Sequence, residues 1–206
     1  MLDHALSRLA TAARFGHATA PGAALGDRPE QALMLYQYEG CPMCRRVREA
    51  ITDLALPVEM RPCPKGGDRF RPEAMEASGK AQFPFLVDPN TGVSMLESEE
   101  IVHYLYANYG TGTPPSWLFG LRFVASSVFV SAVRDAVVQP RGEGALAPTQ
   151  LCLQGAEADP GARRVRERLC ALEIPYRWEP GPLRLIDEHN GAVLDSADAI
   201  LDSLQH

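Results

Sequence analysis

The sequence predicts an α/β fold: two tandem βαβαββα units, the second truncated and degenerate, joined by a helical linker. Three observations carry that reading. The chain matches itself in two stretches in the same order, each copy joins a short apolar run to an amphipathic helix, and each closes with turn chemistry ahead of a serine-led helix. Cys41 to Pro57 reads CPMCRRVREAITDLALP and Asp159 to Pro175 reads DPGARRVRERLCALEIP, with eight of seventeen positions identical. Phe85-Leu86-Val87-Asp88, Gly92 and Leu96-Glu97-Ser98 recur as Arg184-Leu185-Ile186-Asp187, Gly191 and Leu194-Asp195-Ser196. The offset is 118 residues at the first match and about 99 at the second, so the second copy lacks about nineteen residues between them.

In the first copy, Leu33 to Tyr38 is a short apolar run suited to a central strand. A helix starts at Pro42, where proline's missing N–H would have no partner anyway. Val47, Ile51 and Leu54 form its apolar stripe, with Arg45, Arg48, Glu49 and Asp53 outside it, and Pro57 stops it. Val58 to Arg61 is a second strand, and the polar stretch Gly66 to Lys80 is a loop with a short helix. Phe83 to Val87 is a third strand with Pro84 inside it. Asp88-Pro89-Asn90-Thr91-Gly92 predicts a hairpin into Val93 to Leu96. Ser98 then caps a helix carrying Ile101, Val102, Tyr104 and Leu105.

The second copy keeps strands near Gln150 to Leu153, Tyr176 to Trp178, Leu183 to Ile186 and Ala192 to Leu194, and lacks the middle helix. Breaks at Thr111-Gly112-Thr113-Pro114-Pro115 and Pro140-Arg141-Gly142-Glu143-Gly144 enclose an apolar segment. The expected organisation is therefore 1–31, a helix and linker; 32–110, the first unit; 111–148, an apolar helical linker; and 149–206, the second unit.

A net charge of −6 argues against nucleic-acid binding, which needs a basic surplus. The cysteines are Cys41, Cys44, Cys63, Cys152 and Cys170, an odd count with one close pair, unlike a secreted disulfide framework. Leu2, Leu6, Leu9 and Ala13 fall at helical spacing, without a secretory signal pattern; a membrane-surface anchor is the alternative to a plain amphipathic helix. Trp117 to Val138 is the most apolar stretch, but Arg122 and Arg134-Asp135 leave eleven residues between them. A bilayer span needs ~20. No integral membrane span and a cytoplasmic location are the expectations.

The chemistry concentrates at Cys41-Pro42-Met43-Cys44. A cysteine at a helix start meets free backbone N–H groups and the positive end of the helix dipole, which favour the thiolate. Arg45 and Arg46 add positive charge. Cys44, one turn deeper, can attack a mixed disulfide on Cys41. Half of a zinc site, a packed inert pair and an iron–sulfur cluster shared between chains stay open as alternatives; the second copy has Asp159 and Ala162 where the pair should be. Pro84 within a strand marks either an edge or a cis Phe83-Pro84 bond that turns the Phe83 backbone toward Cys41. Glu97-Ser98 is either a plain cap or a site for a ligand with ammonium and carboxylate on one carbon, such as a γ-glutamyl moiety. The runs Arg45-Arg46-x-Arg48 and Arg163-Arg164-x-Arg166 read as solvated helix faces, with an anion site as the alternative.

Cys-Pro-x-Cys, the Pro84 strand and the Glu97-Ser98 helix start, in that order, resemble the N-terminal domain of glutathione transferases and the glutaredoxins, over about residues 32 to 109. CPMCRRVREA, RPCPKG, QFPFLVDPNTGVSMLES and IVHYL are more closely similar to a group with two thioredoxin-type domains in series and no helical transferase domain. The resemblance implies a thioredoxin-like fold with glutathione as co-substrate, Cys41 as the reactive thiol and Cys44 as the resolving one. It implies further that Phe83 and Pro84 dock the glutathione cysteine, that Glu97 and Ser98 hold the γ-glutamyl end, and that Lys65 and Gln82 reach the glycine carboxylate. No metal is implied.

The second copy departs from that pattern, with Leu183 where Pro84 would stand, which excludes thiol chemistry of its own; Cys152 and Cys170 read as buried structural residues. Three functions follow. The first is a glutathione-linked thiol–disulfide oxidoreductase acting on a disulfide partner through an accessible Cys41 sulfur. The second is a transferase conjugating glutathione to an electrophile. The third is a non-catalytic scaffold or sensor. A homodimer is an open alternative to a monomer.

Overall fold

The computed structural model describes residues 26–120 and 150–204. The predicted N-terminal helix, Pro140–Gly144 and most of the Trp117–Val138 segment lie outside the described residues. The element order is β1 (Leu33–Gln37), α1 (Pro42–Asp53), β2 (Val58–Pro62), α2 (Arg71–Ser78), β3 (Phe85–Asp88), β4 (Val93–Met95), α3 (Ser98–Tyr109) and a 3₁₀ turn (Ser116–Leu118). Then follow β5 (Leu151–Gln154), α4 (Pro160–Ala171), β6 (Tyr176–Glu179), β7 (Arg184–Asp187), β8 (Val193–Leu194) and α5 (Ala197–Ser203). The result is a mixed α/β, thioredoxin-like fold. All eight strands join one sheet in the order β4-β3-β1-β2-β6-β5-β7-β8.

That order reads the same from either edge. β1 pairs β2 in parallel and β3 antiparallel, as β5 pairs β6 and β7. The seam is the antiparallel pair β2–β6, where Glu59 faces Arg177, with Val58 opposite Trp178 and Met60 opposite Tyr176. Residues 59 and 177 stand 118 apart, the offset of the internal sequence match, so the seam is centred on matched positions. No counterpart of α2 stands between β6 and β7 among the described residues.

The helices form where local chemistry starts and stops them. α1 has Pro42 in its first turn and closes through Leu56 N–H to Ile51 C=O, with Ala55 at φ 52°. α4 repeats this with Pro160, with Ile174 N–H to Leu169 C=O, and with Glu173 at φ 51°. Val47, Ile51 and Leu54 of α1 pack with Ile101, Val102 and Leu105 of α3 over Leu33, Leu35 and Leu86 of the sheet. The same core continues through Val165, Leu169, Trp178 and Ile200 in the second half. Each such side chain contributes about 1.5–3 kcal/mol by leaving water. On the opposite sheet face α2 covers a smaller cluster of Tyr36, Cys63, Ala74 and Phe85.

Three expectations need correction. Pro84 precedes β3 instead of lying within it, and β3 is an inner strand between β4 and β1, not an edge. Ser98 is the first residue of α3, not its cap; the cap position is Glu97, which makes no side-chain cap bond. The basic runs are not solvated faces: Arg45, Arg46, Arg48, Arg163 and Arg166 are buried. Arg45 pairs with Glu49 on its own helix (2.7 Å) and Arg46 with Ser98 (3.2 Å), while for Arg48 and Arg166 the reason lies at the seam. Arg48 reaches Glu157 (Nε–Oε2 3.1 Å) and Glu39 (Nη2–Oε2 3.4 Å), while Arg166 reaches Glu39 (Nε–Oε1 3.2 Å) and Glu157 (Nη2–Oε2 2.8 Å). The members stand in pairs 118 residues apart, 39 with 157 and 48 with 166. Burial works against the Arg48 charge, and the carboxylates of Glu157 and Glu39 outweigh it.

Candidate functional site

β1 delivers the chain through Tyr38, Glu39 and Gly40 to the start of α1, where Cys41 is the cap residue (φ −82°, ψ 120°). Its Sγ accepts the Cys44 backbone N–H at 3.2 Å and lies 3.9 Å from the carbonyl oxygen of Phe83. The Phe83–Pro84 peptide is cis. Phe83 packs edge-to-face on Tyr38 with ring centroids 6.4 Å apart. Arg71 sits over the Phe83 ring at 4.7 Å and Lys65 over the Tyr38 ring at 6.0 Å.

The two thiols are driven apart. A hydrogen bond from Cys44 leads the forces that draw Cys41 down to about 7; burial opposes it, and the Cys44 N–H, the Arg48 charge and the Met43 N–H add to it. Burial, with the hydrogen bond toward Cys41, pushes Cys44 well above the ordinary range. Of the two sulfurs, Cys41 therefore ionises first and Cys44 keeps its proton. The remaining cysteines, all buried and free, move the other way: burial raises Cys63 to about 12 and lifts Cys152 and Cys170 as well.

The expected accessibility of Cys41 is corrected. The residue is 5 % exposed, because the Phe83–Pro84 segment lies against it. Its closest partners are nonetheless polar: a backbone N–H, a carbonyl oxygen and a second thiol.

Across the helix start, Glu97 takes φ 69° and ψ 106°, a conformation uncommon for a residue with a side chain and often found where backbone groups face a ligand. Its carboxylate accepts Gln82 Nε2 at 2.6 Å. Ser98 Oγ accepts Arg46 Nη1 at 3.2 Å and lies 3.5 Å from Met43 Sδ. Cys41, Cys44, Phe83 and Pro84 thus form one group and Gln82, Glu97 and Ser98 a second, joined through Met43 and Phe83. Lys65 is exposed on the far side of Tyr38.

Sequence reasoning missed Tyr38, Arg71 and above all Arg48. Its signal was present: Glu39 with Arg48 recurs as Glu157 with Arg166 at the same offset. Among the described residues, no cluster of three or more His, Cys, Asp or Glu could hold a metal ion. Among those residues, no helix is long and apolar enough to cross a membrane.

A thioredoxin-like α/β fold with a cysteine pair at the start of its first helix defines a class. Residues 35–115 match the family described as glutathione S-transferase, N-terminal domain, and glutathione binding is a trait of that family. No curated protein and no solved structure matches the chain significantly.

Proposed function

We propose that the protein is a glutathione-linked thiol–disulfide oxidoreductase built from two thioredoxin-like halves in tandem, of which the first carries the chemistry. One observation carries the reading: the Cys41 sulfur sits at the α1 start, 3.2 Å from a backbone N–H and 3.9 Å from the Phe83 carbonyl, with its thiol drawn down to about 7. The Cys41 thiolate attacks the glutathionyl sulfur of a mixed disulfide. A Cys41–glutathione disulfide forms and the substrate leaves as a thiolate, which takes a proton. A second glutathione thiolate then attacks the glutathionyl sulfur, releasing glutathione disulfide and regenerating Cys41. Alternatively, deprotonated Cys44 attacks Cys41 and releases glutathione, and two further glutathiones reduce the internal disulfide.

Phe83 offers backbone groups to the glutathione cysteine. Glu97 and Ser98, with Gln82 ordering Glu97, receive the γ-glutamyl end; Lys65 and Arg71 supply positive charge for the glycine carboxylate. Reduction of a glutathionylated peptide by glutathione, comparing wild type with Cys41→Ser, tests the reading. A loss on the order of a hundredfold is expected; equal rates would end it. The family match favours a second reading, a transferase that activates bound glutathione for an electrophile. Conjugation surviving Cys41→Ser would support that one instead.

A further inference from the structure

The ion pairs at the β2–β6 seam do more than join the halves. Besides its carboxylate partners, Arg48 donates to Gln37 Oε1 at 2.6 Å, to the Tyr38 carbonyl at 3.4 Å and to the Glu39 carbonyl at 3.5 Å. The Tyr38 carbonyl is the one that accepts the Cys41 N–H, at 3.2 Å. Arg48 therefore clasps the turn carrying the cysteine, while standing one helical turn beyond Cys44 on α1. The second half holds it there. Glu157 grips its Nε, and Arg166 fixes Glu39, the other carboxylate Arg48 uses. Arg166 is seated in turn over the Trp178 ring at 4.8 Å and donates to the Ala156 and Glu157 carbonyls at 3.4 Å each. All four charged side chains are at most 2 % exposed. Water therefore screens them little, and their geometry is fixed by packing.

We propose that the degenerate second half is a positioning module for the redox centre: through Glu157 and Arg166 it locks Arg48 onto the Tyr38–Glu39 turn and so sets the reactivity of Cys41. This rests on the oxidoreductase reading for its purpose, but its observable is the thiol itself. The groups bearing on that thiol are Cys44, the Met43 N–H and Arg48 from α1 and the Phe83 carbonyl from the segment before β3; the cations Lys65 and Arg71 stack on the neighbouring Tyr38 and Phe83 rings.

Two positive and two negative members leave the cluster balanced. Arg166→Met gives it a net negative charge and Glu157→Gln a net positive one. The test is the pH dependence of Cys41 alkylation by iodoacetamide, followed by peptide mass, in full-length protein whose cooperative melting is checked first. Arg166→Met is expected to raise the midpoint by about 0.5–1 pH unit and Glu157→Gln to lower it by a similar amount. A role in stability alone would leave both midpoints unmoved; unmoved midpoints, or a fall in both, in folded variants would overturn the proposal. If a single variant fails to melt cooperatively, the balanced pair Glu157→Gln with Arg166→Met replaces it. That pair leaves Arg48 only Glu39 as a carboxylate partner, and the alkylation rate at pH 7 is expected to fall about threefold; a wild-type rate would overturn the proposal. Turnover with glutathione is measured separately. A Cys41→Ser variant that keeps its turnover would end the oxidoreductase reading and leave these midpoints interpretable.

Discussion

At the start of α1 a thiol accepts the Cys44 N–H at 3.2 Å; at the start of α4, 118 residues on, the Asp159 carboxyl oxygen accepts the Ala162 N–H at 2.6 Å. The two caps share backbone geometry, φ −82° and ψ 120° against φ −67° and ψ 124°. Both helices carry proline in the first turn and close on a residue near φ +50°. The difference is in what surrounds the cap. The first faces the Phe83 carbonyl; the second faces Leu183, whose side chain stands 3.0 Å from where a Cβ on Gly161 would lie. Farther along, Ser196 is an ordinary cap that accepts the Ala199 N–H at 3.3 Å, whereas Ser98 has moved inside its helix and Glu97 has taken positive φ. One backbone thus holds a thiol drawn down to about 7 in one half and an oxygen-capped helix start in the other. The two halves thus differ in the cap atom and in the segment against it, not in the fold.

The strongest way to break that comparison is to transplant the motif. Asp159→Cys with Ala162→Cys, placed in a Cys41→Ser background, is expected to restore none of the roughly hundredfold loss in glutathione-linked reduction. Leu183 stands where the first half has Pro84, so that cap has no counterpart of the Phe83 carbonyl beside it. Recovered turnover would show that the cap alone suffices and that the surroundings contribute little.

Next in size is the seam. Arg48→Met leaves Glu39 and Glu157 facing each other with only Arg166 between them. Removing one partner of a buried ion cluster costs about 3–5 kcal/mol, to be read from urea unfolding of the full chain. A change below about 1 kcal/mol would mean that the halves are held by the β2–β6 pairing and apolar packing alone.

A smaller effect separates the two caps by pH. Cys41 is drawn down to about 7 from an ordinary 9.0. Between those values the unfolded chain binds more protons on this group than the folded one, so the Cys41 contribution to stability grows as pH rises. It is complete near pH 9 and is lost as pH falls through 7. Reduced wild type should therefore gain on Cys41→Ser by on the order of 1–2 kcal/mol across that window in urea unfolding. Alkylation of Cys41 should rise about fivefold from pH 6 to 7, with the buried Cys44 unmodified. A flat difference, or equal labelling of both cysteines, would place the thiolate elsewhere.

Much of this was legible beforehand because it is local. The Cys-Pro-Met-Cys helix start, the Asp88–Gly92 turn and the missing middle helix of the second half are written in short stretches whose chemistry acts over a few residues. What sequence could not supply was mutual burial. Arg48 and Arg166 stand off the apolar stripe of their helices and so read as solvated, since their cross-half partners Glu157 and Glu39 arrive only when β2 meets β6. Ser98 reads as a cap by residue type; only the Glu97 backbone, turned to positive φ, displaces it by one position. The cover over Cys41 likewise comes from a segment 42 residues away.

The smallest expected effect bears most directly on why a thiol works as a cap at all. Asp159→Ala removes the acceptor for the Ala162 N–H and should cost about 1 kcal/mol in urea unfolding. Asp159→Asn keeps an acceptor oxygen without the charge. If Asn restores most of the loss, the hydrogen bond holds the start of α4, and the Cys41 sulfur can serve its own helix equally as thiol or thiolate. If Asn restores little, charge at the helix end dominates. Cys41 would then stabilise α1 only once ionised, and the same field that organises the helix would draw the proton off the thiol.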